Sequence, residues 1–268
     1  MESLESKLGS ATPMATPLSR LRLLSFNIQA GIQSRRYGDY LANSWKHVLP
    51  HGERQRNLTS IGALLHGYDV VGLQEVDAGS LRSAFVDQTE YLAHAGGYPH
   101  WYKQVNRELG SFARHSNGIL SRLRPSHVTS HKLPGLPGRG VLLAELPTST
   151  GDTLAVCVLH LALGWRARRR QLEYLVALAG AYRFIVLMGD FNCSCRSPSL
   201  RAAVERAGLH GLDCELKTFP SWRPHSNLDH ILVSSTLRIE GARVLSYALS
   251  DHLPLLMEVA LPEGVLVG

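Results

Sequence analysis

Phe184-Ile185-Val186-Leu187-Met188-Gly189-Asp190-Phe191-Asn192-Cys193-Ser194-Cys195 decides how this chain of 268 residues is read. Its first five residues are a continuous apolar run, the pattern of a strand buried on both faces. Gly189 ends the run, and Asp190-Phe191-Asn192 follow. Residues two apart in an extended chain point to the same side. Asp190 and Asn192 are therefore expected to project together from the end of a core strand. The carboxylate can accept a proton from water or hold a metal, and the amide can donate to an oxyanion without adding negative charge. Gly, Asp and Asn are also turn formers, so the same letters suit a plain strand followed by an Asx turn. The choice falls to the rest of the chain.

Other apolar runs, read outward from this one, finish on similar groups. Leu21 to Phe26 reads as a strand closed by Asn27, and Tyr68 to Gln74 as one closed by Glu75. Leu154 to Leu161 carries His160 near its end, and Leu228 to Val233 bears Asp229. The loop Ser250-Asp251-His252-Leu253-Pro254 leads into a closing strand, Leu255 to Leu261. Further strands are expected at His100–Val105, Ser116–Arg122 (with Asn117 at its polar entry) and Val141–Leu146, and an edge strand over Ile239–Leu249. Helices are expected over Gly52–Leu65, Thr89–Ala95, Trp165–Gly180 and Ser199–Ala207; the first and third show the three/four apolar spacing of one buried face. Arg166, Arg168, Arg169 and Arg170 crowd the start of the third helix, where cations oppose the macrodipole. They suit either phosphate contact or a solvated charged face.

Met1 to about Ser19 is rich in Ser, Thr, Pro and Ala and reads as a flexible tail, residues 1–20, ahead of one domain over 21–268. One domain is expected because the polar strand ends stretch from Asn27 to His252. The chain is 44% hydrophobic, enough for a substantial core, and its 24 Gly and 13 Pro suit short strands joined by turns. A net charge of +6 favours anionic partners, nucleic acid and phosphorylated metabolites among them. Four cysteines are too few and scattered for a disulfide framework, and Cys193-Ser194-Cys195 lacks zinc spacing, so free thiols in a reducing compartment are expected. No secretory signal and no run near the ~18 residues of a membrane span is present, which leads to the expectation of a cytoplasmic monomer.

Two or three carboxylates with few thiols suit a hard cation such as Mg²⁺ or Mn²⁺, and two histidines suit proton transfer or phosphoryl-oxygen stabilisation. At this point the chain resembles the endonuclease/exonuclease/phosphatase superfamily with its deoxyribonuclease-like fold. The matching stretches are Leu23–Gly31, Val70–Val76, Ser116–Arg122, Val158–Leu163, Met188–Asn192, Leu228–Ser234 and Ser250–Leu255, in the family's order. The resemblance implies an α/β (α+β) fold, a four-layer α/β/β/α sandwich of two mainly antiparallel sheets flanked by helices.

It also implies roles. Glu75 is the principal Mg²⁺ ligand, with Asn27 beside it and Asp251 supporting the metal or water network. Asp190 orients or deprotonates the attacking water, Asn192 binds the phosphate, and His252 stabilises the transition state, oriented by Asp229. His160 matches the branch that holds sphingomyelinases and related bacterial hydrolases, where the abasic-site endonucleases carry Tyr. Arg166 to Gln171 resembles the basic R-x-x-Q segment of those relatives, so Arg166 and Arg170 are expected at the substrate, with Asn117 in a supporting contact. His230 stands where many relatives have Tyr. The expected activity is a Mg²⁺-dependent phosphodiesterase acting on an anionic phosphoester. A phospholipid phosphodiesterase or phosphatase is the alternative, and a catalytically silent binding protein is disfavoured because Glu75, Asp190 and His252 are all present.

Overall fold

The computed structural model describes residues 16–32, 52–109, 113–135 and 137–268. Two parallel strand pairs form its frame. The first joins β1 (Arg20–Asn27) to β2 (Val70–Asp77), with helix α1 (Gly52–Leu64) between them in sequence. Helix α2 (Gln88–Gly96) follows, capped by Asp87, whose side chain accepts from the Thr89 and Glu90 amides. Strands β3 (His100–Leu109), β4 (Ala113–Ser121), β5 (His127–Lys132) and β6 (Gly140–Pro147) come next. The second parallel pair is β7 (Thr153–His160) and β8 (Phe184–Asp190), linked by α3 (Trp165–Ala179). Parallel strands need such a crossover because a hairpin cannot reverse the chain twice. Helix α4 (Pro198–Arg206), β9 (Leu209–His210), β10 (Asp229–Ser234), β11 (Arg238–Val244) and β12 (Leu255–Ala260) complete the chain.

The strands form two mixed sheets of six, ordered β11-β12-β1-β2-β4-β3 and β5-β6-β7-β8-β10-β9. Three apolar layers hold the four structural layers together. Leu21, Leu23, Val156, Val186, Met188 and Met257 are among the residues that fill the space between the sheets. Leu172, Leu175, Leu200 and Ala203 lay α3 and α4 on the second sheet, against Leu143, Ile185 and Leu187. Leu58, Ile61, Leu65 and Leu92 cover the first sheet over Leu24, Phe26 and Leu73. Each Leu, Ile, Val, Phe or Met side chain buried in this way stabilises the fold by about 1.5–3 kcal/mol. The central strands are apolar on both faces because each sheet is covered on both, by its partner and by helices. This is the α/β/β/α sandwich that the sequence leads one to expect.

Expected helices and strands fall within a few residues of those observed, and β11 does lie at a sheet edge. Strand β5 is an addition. His-Val-Thr-Ser-His-Lys has no apolar run, and it is held as an edge strand by register with β6. The tail expected over 1–20 lies outside the described residues up to position 15. Leu18 itself is tied down, since Leu18 and Val267 exchange two backbone hydrogen bonds. One expectation is corrected. Cys195 and Cys214 form a disulfide with Cα atoms 5.5 Å apart, so only Cys157 and Cys193 remain as free, buried thiols. Position 214 lies in the excursion between β9 and β10, and folding alone brings it to the loop after β8.

Candidate active site

Strand phase carries most of the candidate residues to one mouth of the inter-sheet layer. Phe184, Val186 and Met188 face between the sheets, and Asp190 is next in that row. Leu154, Val156 and Val158 lead in the same way to His160 on β7, and Leu21 and Leu23 lead through Ser25 to Asn27 on β1. β10 runs antiparallel to β8, so Asp229 stands at its start, opposite Asp190, while His160 is opposite Asp190 on the other side.

Glu75 is out of phase. Val71 and Leu73 face the helices, and simple alternation would send Glu75 after them. Instead β2 bulges: Leu73 pairs with Gly118 and Val76 with Ser116, so Gln74 and Glu75 together oppose Asn117. Glu75 sits at φ +56° within that bulge, a conformation costing a non-glycine residue on the order of 1 kcal/mol or more. The turn re-aims its carboxylate into the mouth.

The groups meet there. The Asn27 amide donates to Glu75 Oε1 at 3.2 Å and to Asp190 Oδ2 at 3.3 Å, and its own oxygen accepts from the Gln29 amide at 3.1 Å. His160 Nε2 lies 3.4 Å from Asp190 Oδ2, and its Nδ1 is 4.0 Å from Glu75 Oε1. His252 Nδ1 donates to Asp229 Oδ2 at 2.7 Å, and its Nε2 is 3.9 Å from Asp190 Oδ2. The Thr218 hydroxyl also donates to Asp229 Oδ2, at 2.5 Å. The loop bearing Asp251 and His252 is held by the Ser221 amide and hydroxyl, which donate to the Asp251 and Ser250 carbonyls. Asn192 donates its side-chain amide to the Leu161 carbonyl, and its backbone amide donates to Asp190 Oδ1.

Crowding sets the charges. Burial raises Asp190, aided by Asp229 and Glu75 and opposed by His252, so its carboxyl sits well above the ordinary range. Asp251 is pushed up to about 6 by burial, with Glu75 and Asp229 adding to the rise against His252. Burial also raises Glu75, but His160, the Asn27 amide and His252 outweigh it, leaving this carboxyl below its usual value. Burial lowers His252, yet Asp229, Asp190 and Asp251 carry it up to about 10, which keeps the imidazolium at neutral pH. His160 is driven down to about 3 by burial and by Arg139, so it is neutral.

Asp190, Asp229 and His252 offer ligand-type atoms within 4.8 Å of one another. The Asp229–His252 hydrogen bond already uses one of those atoms, which favours a proton-sharing group there. Glu75, whose side chain keeps 32% of its surface exposed, lies outside that set of three but can also offer oxygen to a cation, and it is close enough to Asp190 and Asp251 for its charge to act on both. Oxygen donors without a thiol fit a hard divalent ion.

A cavity of about 370 Å³ opens beside Glu75 and His160. Asn117 lines it and donates to the Gly140 carbonyl. Arg166 and Arg170 do not line it: both are exposed, and Arg166 lies over the Trp165 ring. The arginines in its wall are Arg107 and Arg139, which sequence reasoning did not single out; His115 joins them. Arg139 sits alone in a Gly/Pro loop with no spacing to mark it. His230 faces the other way, buried against Phe191 with Nε2 2.9 Å from the Cys193 carbonyl oxygen.

The model of the Endonuclease/Exonuclease/phosphatase family matches residues 24–252, and the chain belongs to that family. No curated protein sequence matches it. Among solved structures, an endonuclease/exonuclease/phosphatase from Beutenbergia cavernae is 20% identical with a TM-score of 0.69, covering 91% of this chain and 72% of that one. A Bacteroides thetaiotaomicron mannosyl-6-phosphatase is 18% identical with a TM-score of 0.68, covering 90% of this chain and 100% of that one. The human Nocturnin catalytic domain is 17% identical with a TM-score of 0.63, covering 91% and 96%. At these identities the likeness is one of fold. Among the described residues no helix is long and apolar enough to cross a membrane.

Proposed function

We propose that this family member is a divalent-metal-dependent phosphodiesterase, with Mg²⁺ or Mn²⁺ as its ion. The observation that carries the reading is the Asp229–His252 pair facing Asp190, with Asn27 and Glu75 on its other side. Glu75 and Asp251 would hold the ion, joined by Asn27 if its amide turns its oxygen toward them; the ion would neutralise a phosphate oxygen and favour in-line attack.

The chain's own groups supply the rest. Asp190, raised by burial, is a base suited to work near neutrality on the attacking water. His252 keeps its Nδ1 proton on Asp229 and presents Nε2–H to a phosphoryl oxygen on which charge develops. His160, neutral, is within reach of Asp190 and fixes its orientation. Asn192 braces Asp190 through its backbone amide, and its side chain reaches the phosphate only after leaving Leu161. His160 also supports a place nearer the sphingomyelinase-like branch than the abasic-site endonucleases.

The test is hydrolysis of bis-p-nitrophenyl phosphate against p-nitrophenyl phosphate, in Mg²⁺, Mn²⁺ or EDTA, beside Asp190→Ala. Diester cleavage that needs metal and falls by about 10²-fold or more in the variant is expected. Melting should rise with Mg²⁺ or Mn²⁺ through linkage, and Glu75→Ala should abolish that shift. Preferential monoester cleavage would instead make the protein a phosphatase. Silence on both esters with no metal-induced shift would overturn the reading.

A further inference from the structure

The cavity beside Glu75 has a wall that the ester chemistry leaves unused. It lies between β3, the segment Pro137-Gly138-Arg139 and the first turn of α3. Arg107 comes from β3 and packs its stem on Gly138, where a Cβ would come within 3.3 Å of Arg107 Cδ. Arg139 comes from the loop, with Nη1 3.5 Å from His160 Nδ1. Its charge is felt by both Glu75 and Asp190, so it links the cavity to the reacting end. Asn106, Asn117 and His115 add polar groups. Gly164 is the N-cap of α3 and offers no side chain to the helix's first amides, and Gly164 and Ala167 both line the cavity. An anion there would meet two guanidinium groups and the positive end of a 15-residue helix.

From this we infer that the substrate is a small, soluble phosphoester carrying a second phosphate or equivalent anionic group, bound by Arg107 and Arg139 while the ester phosphate lies at Glu75 and Asp190. The inference rests on the phosphoesterase reading and narrows its substrate class. Arg107 is the specificity-determining residue, because it lies on the cavity wall away from the carboxylate cluster, whereas Arg139 touches His160. A polymer that tracks a long groove would spread its charge instead of concentrating it in a pocket of this size.

The experiment uses ligands that cannot be hydrolysed. Alkane bisphosphonates from propane-1,3- to hexane-1,6-bisphosphonate, and the matching monophosphonates, are titrated calorimetrically into the full chain in Mg²⁺. At least one bisphosphonate should bind about ten-fold or more tighter than its monophosphonate, the gain of one charge-assisted anion contact. Arg107→Gln should erase most of that preference, and Ala167→Leu, which fills the cavity from a helix position, should weaken it independently. Equal binding of both ligand types, or a preference that survives Arg107→Gln, overturns the inference. Arg107-dependent sedimentation with phosphatidylinositol 4,5-bisphosphate vesicles, without any soluble preference, overturns the soluble class. Hydrolysis of bis-p-nitrophenyl phosphate is measured separately, so loss of the phosphoesterase reading and loss of this inference are distinguishable.

Discussion

Gly189→Ala tests how tightly the two central strands must close to make the site. Gly189 sits at φ +148°, and a Cβ there would lie 1.9 Å from the Leu159 carbonyl oxygen and 2.9 Å from its carbon. That oxygen belongs to β7, the parallel partner of β8, so no side-chain rotation relieves the clash. The strands would have to part by roughly 1.4 Å to reach even a close carbon–oxygen contact of ~3.3 Å. Overpacking of this kind costs about 1–3 kcal/mol, and the glycine-type backbone a further ~1–3 kcal/mol. About 4 kcal/mol is a large share of the ~5–15 kcal/mol that stabilises a domain. At ~2–4 °C per kcal/mol, melting should fall by about 8–16 °C. The same opening shifts His160 against Asp190, and a 1 Å misplacement costs on the order of 10²-fold in rate. Urea titration followed by circular dichroism reads the first effect, and diester turnover per folded molecule reads the second. Gly241→Ala on β11 is the control: open space surrounds its Cβ position, so a change within about 0.5 kcal/mol is expected. Wild-type unfolding and turnover in Gly189→Ala would refute the reasoning.

Thiol titration of denatured, unreduced protein should find two reactive groups, from Cys157 and Cys193. Closing a loop across a sequence separation of 19 is worth about 3 kcal/mol, so reductant should lower the urea midpoint accordingly; four thiols at the outset would remove the disulfide from the account. His252 has a folded-state pKa raised to about 10 from an ordinary 6.5, so its stabilisation is full below about 6.5 and is lost as pH rises through 10. The stability gap between wild type and His252→Gln should therefore be widest near pH 6 and shrink by pH 10. A gap that widens with pH would show that Asp229 does not hold this imidazolium.

The amino-acid order by itself determined the strands, because runs such as Phe184–Met188 and Val70–Leu73 are legible as segments buried on both faces. With period two it also groups the residues of one strand by face, so Asp190 shares a row with Phe184, Val186 and Met188, but only the packing shows that this row faces the other sheet. Side-chain alternation is a local property of the backbone, so no partner strand is needed to read it. Strand β5 escaped because an edge strand takes its order from its neighbour's hydrogen bonds and needs no apolar run of its own. Glu75 was legible as a carboxylate closing an apolar run, but only the bulge opposite Asn117 turns it into the site against the phase of its strand. Arg107 and Arg139, like the Cys195–Cys214 pair, carry no signal in spacing, and the arginine-rich start of α3 drew attention to Arg166 and Arg170 instead. Such juxtapositions depend on which segments pack side by side, and that is decided by the sheets closing over a shared core, a long-range outcome that local periodicity does not encode.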